Sequence, residues 1–510
     1  MALICFINIA CKIIRRLGYN ECYQSATHTL GQYIGTVIAC RYAIPRALTN
    51  PDSQEKLVEV FESAIARTIL EHPLLQVGLV GANSKKPAWT QLESVDLRNH
   101  VEWDFAENSA RFDLLCRSAL QFQLDTEFPN LESQPGWRIS VLHQRESNVL
   151  EVIFSFNHAN SDGMGGKIFH ETLLRRLNET SIDDTLPTLK DRILKVPTVV
   201  DRFPPTQHQL TKFTMSTEFI LRMLWRETLP PAITSKRTTH ATWAPIRTSP
   251  YKTQFRSFNI DKQSLGHILA ACRKHKTTIT GLLHALSLTS LASQLEESKA
   301  RAFEAASALS MRRFLPSQPS SHPWFEPNNT IGNLVSAMPH RFNTKTVAKI
   351  RSCIRDGGGS DGSLSEALEA TIWEIAAVVR TELEVRLKMG VKNDLTGVMK
   401  FVGDWHTQMQ EQAQKPRVQS WVVSNLGVLD GGGSEGVVEE EKEDGWSIDQ
   451  AQFFLSAEVP AAALTVSPIA VKGKDLVVSV SWQDCVMDCA FGERFIANLE
   501  RWSKQLGSAS

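Results

Sequence analysis

The sequence predicts an α/β protein assembled from two halves, and three observations carry that expectation. Segments with a strand-like period of two alternate along the chain with segments of helical period. At 510 residues the chain exceeds what a single hydrophobic core usually serves. Between 181 and 212 the periodicity fades and Pro187, Pro197, Pro204 and Pro205 accumulate, the mark of a crossover. The halves are therefore placed at 1–212 and 213–510.

The elements follow in order. "GTVIACRY" (35–42) alternates like a strand. In "SQEKLVEVFESAIARTILEHP" (53–73) Leu57, Val60, Phe61, Ala64 and Ile65 share one face, the pattern of an amphipathic helix. "WRISVLHQ" (137–144) and "NVLEVIFSF" (148–156) read as neighbouring strands joined by the polar turn at 145–148. "GKIFHETLLRRLN" (166–178) is a helix with Phe169, Leu173 and Leu177 on its apolar stripe. A helix is expected at 215–228, then an irregular stretch to Pro250.

The second half opens with a strand, "TQFRSFNI" (253–260), and two helices over 262–276 and 277–295, an order that loosely echoes the first half. "GGGSDGSLSE" (357–366) is a loop leading into a capping box, Ser363-x-x-Glu366, and the helix after it runs to about Met389, with Gly390 as its stop. The acidic insertion "GGGSEGVVEEEKEDG" (431–445) reads as a solvated loop. Strands at 462–471 and 475–482 precede a final helix that ends near Gln505.

Composition narrows the function classes. Lys and Arg total 55, matching 55 Asp and Glu, so the basic surplus of a nucleic-acid binder is absent and a small-molecule substrate is the expected partner. The nine cysteines form no CxxC pair and no zinc-ribbon spacing, which fits a reduced, intracellular, cytoplasmic protein. Residues 2–14, "ALICFINIACKII", are apolar, but a spanning helix needs about 20 such residues. A signal peptide would carry its positive charge before the run, whereas Arg15 and Arg16 follow it. The stretch is either a buried first segment or a weak interfacial anchor giving peripheral contact with an ER or lipid-droplet membrane. No self-pairing element stands out, so a monomer is expected.

The chemistry concentrates at "FSFNHANSDGMGG" (154–166), where His158 follows a buried strand and precedes a turn of small residues. His158 and Asp162 have no third ligand at useful spacing, which disfavours a metal site. "GMGGK" (163–167) meets neither GxxxxGK[ST] nor GxGxxG, and "GGSDG" and "GGSEG" put serine in the wrong place for a nucleophile elbow. Two readings stay open: a core histidine satisfied by backbone, or a general base. Little bulk blocks the imidazole, and Gly163 would let a ligand approach the backbone.

"HANSDG" is an HxxxDG motif, and its setting resembles the coenzyme A-dependent acyltransferases of the chloramphenicol acetyltransferase/condensation-domain fold, most closely the fungal alcohol acetyltransferases. The stretch at 15–42, "PGWRISVL" (135–142), "LSMRRFLP" (309–316), "IGNLVSAM" (331–338), "SWVVSNLGVLD" (420–430) and "VSWQDCVMD" (480–488) look like that family's landmarks, in order. The plant-type DFGWG motif is absent. Condensation domains place two adjacent histidines before xxxDG, and here Asn157 stands in the first position.

The resemblance implies two halves, each a mixed sheet flanked by helices, with a tunnel between them. It implies no bound cofactor, acetyl-CoA or another acyl-CoA as co-substrate, an alcohol as acceptor and His158 as the base. Asp162 would support the turn through an arginine, with Arg138 and Arg16 as candidates, and Gly163 belongs to the same motif. Asn157, Ser424 and Asn425 would lie on the substrate side, the last two as oxyanion donors or merely as strand-end caps. Arg312 and Arg313 would hold coenzyme A phosphates or form ion pairs. Two rivals remain: a stand-alone condensation-type enzyme using a carrier-bound or longer acyl donor, and a non-catalytic acyl-CoA-binding or scaffold protein of the same fold.

Overall fold

The computed structural model describes residues 12–145, 147–180, 186–221, 239–356, 363–432 and 445–508. The apolar stretch at 2–11, residues 222–228 of the helix expected at 215–228 and most of the two polar insertions lie outside them.

Two sheets organise the chain. The first has five strands in the order Ser447–Leu455, Thr36–Ala43, Val149–Phe156, Trp137–Gln144, Val101–Ala106, antiparallel except for the last pair. Alternation explains how it is covered on both faces. Val37, Ala39, Leu142 and Ile153 point to the helix Ser109–Asp125, where they meet Phe112, Leu120 and Leu124. Ile38, Cys40, Tyr42, Val152 and Phe154 point the other way, to the helices Gln54–Glu71 and Gly163–Glu179. There Phe154 stacks on Phe169 with ring centroids 3.8 Å apart. A strand buried on both sides reads as a mostly apolar run, as 149–156 does apart from Glu151 and Ser155.

The second sheet is mixed, with seven strands. Its main path is Thr253–Ile260, Leu476–Gln483, Leu464–Val471, Trp421–Val423, Phe303–Ser310, Val335–Phe342, and Gly427–Leu429 also pairs with Leu464–Val471. The helices Lys262–Lys274, Ile279–Gln294, Glu366–Lys388 and Cys489–Ser508 pack on it around a second core. The helix after the first polar loop is capped by Ser365, whose Oγ accepts from Leu368 N, and not by Ser363.

The strand Ser447–Leu455 belongs to the second half of the chain yet forms the edge of the first sheet, crossing the boundary placed at 212. Its partner Thr36–Ala43 would otherwise be an open edge. Among the described residues no helix is long and apolar enough to cross a membrane.

Candidate active site

The site begins where the buried strand Val149–Phe156 stops. Asn157 is buried, its Oδ1 accepts Ala159 N at 2.9 Å, and its own N–H donates to Gly136 O. This is an Asx turn, one of the local bonds that asparagine favours at strand ends. Its Nδ2 has no partner among the described residues. Asp162 then caps the helix Gly163–Glu179, with Oδ1 accepting Gly165 N at 2.8 Å. The turn between them is held from both ends by its own polar residues, and His158 stands in it.

Burial pushes the His158 imidazole below its ordinary range, while bonds to the backbone of His158 and Ser161 and the charge of Asp162 pull it back in part. Its surface stays partly exposed, so the ring is densely surrounded but reachable. On one side is the Tyr33 ring, at 5.7 Å between centroids. On the other, Asn333 donates Nδ2 to the His158 carbonyl at 2.9 Å and lies 3.5 Å from Nδ1.

Asp162 pairs with neither arginine proposed from the sequence. Its partner is Arg312, whose Nη1 is 2.6 Å from Oδ2, and the two residues are 3% and 2% exposed. Leu334 N donates to the same oxygen at 2.8 Å. Arg312 also donates to the carbonyls of Pro327, Thr330 and Gly332, and Asp162 N donates to Gly332 O. Arg138 shares strand parity with Ser140 and Leu142, and so faces the helix Ser109–Asp125. There it donates to Gln123 Oε1 and to the carbonyls of Thr126 and Glu127. Arg16 is spent on Lys86 O. Of the two roles open to Arg312, phosphate binding falls away and the ion pair between halves stands. Arg313 is exposed.

Gly163 sits where that contact between halves is tightest. A Cβ on it would stand 2.7 Å from Leu426 Cδ2 and 3.0 Å from Phe453 Cζ. Leu426 follows Ser424 and Asn425, so this link of the second half lies against the start of the motif helix. Ser424 is nearly buried, its N–H bonds Val466 O, and its hydroxyl has no partner among the described residues. Asn425 is exposed and its amide is engaged at both ends, donating to Thr280 Oγ1 and accepting Gly427 N.

A cleft of about 390 Å³ adjoins Asn333, lined also by Tyr19, Asn20, Gln207, His208 and Leu334. Among the described residues no group of three His, Cys, Asp or Glu side chains is placed to hold a metal ion. A second cluster has the residue types of a hydrolase triad. Ser307 Oγ lies 2.9 Å from His340 Nε2, and His340 Nδ1 lies 2.6 Å from Glu382. Ser307 is 1% exposed and also bonds His284, whose Nδ1 accepts the Trp421 indole N–H. That directional chain from indole to carboxylate satisfies each buried group in turn and leaves no nucleophile open to a substrate.

Sequence reasoning missed Asn333, Tyr33 and the identity of Arg312 as the partner of Asp162. All three lie inside stretches it had marked, "IGNLVSAM", "LSMRRFLP" and residues 15–42, but their neighbours are 125 or more positions from them in the chain.

Residues 89–335 match the family model described as alcohol acetyltransferase. The chain is similar to a probable alcohol acetyltransferase FCK4 of Fusarium pseudograminearum, with 30% identity over 98% of this chain and 96% of that one. It is also similar to a probable alcohol acetyltransferase crmB of Aspergillus fumigatus, at 22% identity over 94% and 96%. Among solved structures, the TRI3 trichothecene 15-O-acetyltransferase of Fusarium sporotrichioides shares the fold with a TM-score of 0.70 at 14% identity, over 96% of this chain and 94% of that one. The condensation domain of the monacolin K polyketide synthase MokA shares it at 0.59 and 10% identity, over 97% of each chain.

Proposed function

Because this chain belongs to the alcohol acetyltransferase family, we propose that it transfers an acetyl or other short acyl group from acyl-CoA to an alcohol hydroxyl, with His158 as general base. The observation that carries this reading is a reachable, burial-depressed imidazole on a turn that both halves of the protein hold in place.

With Nδ1, the nitrogen on the backbone side, as the protonated one, the Nε2 lone pair is the base. Nε2 takes the proton of the acceptor hydroxyl as its oxygen attacks the thioester carbonyl. The tetrahedral intermediate collapses, the C–S bond breaks, and the imidazolium returns the proton to the departing thiolate. Both substrates occupy a tunnel between the halves together, so proximity supplies much of the acceleration and no acyl-enzyme forms. Ser424, with its uncommitted hydroxyl, is the better of the two oxyanion donors, since the Asn425 amide is already engaged. Asp162 holds the turn and carries no proton, because its carboxylate is filled by Arg312, Leu334 N and Gly165 N.

An acyl-CoA donor puts the reaction inside the cell, and residues 2–14 supply any contact with a membrane surface. The chain acts as a monomer.

The test is thiol release from acetyl-CoA with a mixture of primary and secondary alcohols, with esters identified by mass spectrometry. A positioned base is worth about 10²–10⁴-fold, so His158→Ala loses at least that. Equal rates from both proteins, or release without ester, would remove His158 from the role.

A further inference from the structure

The acyl-transfer reading leaves three buried oxygens beside the site unused. Asn333 gives its amide nitrogen to the His158 carbonyl, and its Oδ1 has no partner among the described residues. The Gln207 side chain reaches the same place. Its Nε2 donates to Asn333 O at 3.0 Å and to Val335 O, while Oε1 has no partner among the described residues. Thr396, in the short helix Leu395–Met399, has an unpartnered hydroxyl as well. Asn333, Gln207 and Thr396 are 4%, 5% and 2% exposed, and all three line the cleft of about 390 Å³.

Leaving a buried acceptor unpaired is costly, and methionine at 207 or valine at 396 would fill similar space without that cost. Polar groups kept at such a cost imply a ligand, and their chemistry restricts it. Two of the oxygens are amide carbonyls, which only accept, so the ligand must bring donors. The charges at the cleft are spent on each other, because Arg15 forks onto both carboxylate oxygens of Glu21 at 2.7 and 2.8 Å. No net charge is left to favour an ion, and the ligand is neutral. A hydroxyl donates to the carbonyls and also accepts from Thr396 Oγ1, whereas an amide N–H only donates. Gln207 touches the backbone of Asn333, so the two carbonyls belong to side chains in contact. Hydroxyls on neighbouring carbons of one small molecule suit that spacing.

We propose that this cleft holds the non-reacting hydroxyls of the acceptor, and that the enzyme's alcohol is a compact, neutral polyol. The Asn333 amide is the link to the base, with its nitrogen on His158 and its oxygen left for the ligand. The inference rests on the acyl-transfer reading and names its substrate class.

The experiment compares kcat/KM for glycerol, erythritol and xylitol with that for propan-1-ol, butan-1-ol and pentan-1-ol, using acetyl-CoA as donor. Two net hydrogen bonds predict a preference of about tenfold or more for the best polyol over its alkanol. Thr396→Val removes only a hydroxyl that no protein group uses. It should leave thermal unfolding unchanged or raised, and cut the ratio about threefold. Gln207→Met should cut it at least as far, and Thr396→Val carries the comparison should that variant fail to fold. A ratio of one in wild type, which ordered water alone in the cleft predicts, would overturn the assignment. So would a ratio unmoved by both variants, or a raised KM for acetyl-CoA in its place, which hands the cleft to the thioester arm. Calorimetry of the same polyols with the His158→Ala protein separates the two claims. Polyol binding that Thr396→Val weakens, in an enzyme whose wild type transfers no acyl group, keeps the cleft and sinks the reaction. Acyl transfer without any polyol preference does the reverse.

Discussion

Replacing Arg312 by methionine tests the joint on which the site depends. Arg312 supplies four hydrogen bonds, to Asp162 Oδ2, Pro327 O, Thr330 O and Gly332 O. Methionine fills similar volume and makes none of them, so a carboxylate only 2% exposed loses its counter-charge. Removing one partner of a buried pair costs about 3–5 kcal/mol. Asp162 keeps Gly165 N and Leu334 N, which puts the expected loss near the lower end, about 3 kcal/mol. Activity should fall as well, because Gly332 and Leu334 flank Asn333, which holds the His158 carbonyl. The assay is urea unfolding followed by tryptophan fluorescence, with kcat/KM measured alongside. Asp162→Asn retains the cap through its Oδ1. In the double variant Asp162→Asn/Arg312→Met the losses should fall short of additive by about 1–3 kcal/mol. Arg138→Met serves as control and should show no coupling to Asp162, since its bonds lie across the sheet. Arg312→Met with wild-type midpoint and wild-type kcat/KM, or coupling of Asp162 to Arg138 instead, would refute the reasoning.

Three further outcomes are expected. The His158 base must be neutral to act, and burial lowers its pKa. The acid limb of kcat/KM against pH should therefore sit below the ordinary histidine value of about 6.5, with a plateau through neutrality; an apparent pKa at or above 7 counts against it. His28, His72 and His170 are each pushed down to about 4 by burial, so below about pH 6.5 the unfolded chain binds up to three more protons than the native one. Stability is then fully present above that pH and is lost as pH falls toward 4, by roughly 4 kcal/mol per pH unit in mid-range; unfolding midpoints unchanged between pH 7 and 5 would contradict this. Gly163→Ala brings a methyl to 2.7 Å from Leu426 Cδ2, an overpacking cost of about 1–3 kcal/mol that Leu426→Ala should relieve, as a pair of melting curves would reveal.

The sequence by itself determined the elements whose signal is local. The strands at 137–144, 148–156 and 253–260 and the helices at 53–73, 166–178 and 262–295 fall where their periodicity put them, because each buries a face that its own spacing defines. HxxxDG likewise marked His158, Asp162 and Gly163 as one turn, since all three act within a few residues of each other. Only the tertiary structure decided what crosses from one half to the other. Arg312 rather than Arg138 faces Asp162 because strand parity turns Arg138 to the opposite side of the sheet, a fact no spacing along the chain encodes. Asn333 and Tyr33 meet at His158 for the same reason, that no local spacing encodes a contact across the fold. Their partners lie 125 or more residues away, and burial, not sequence, gives those contacts their strength.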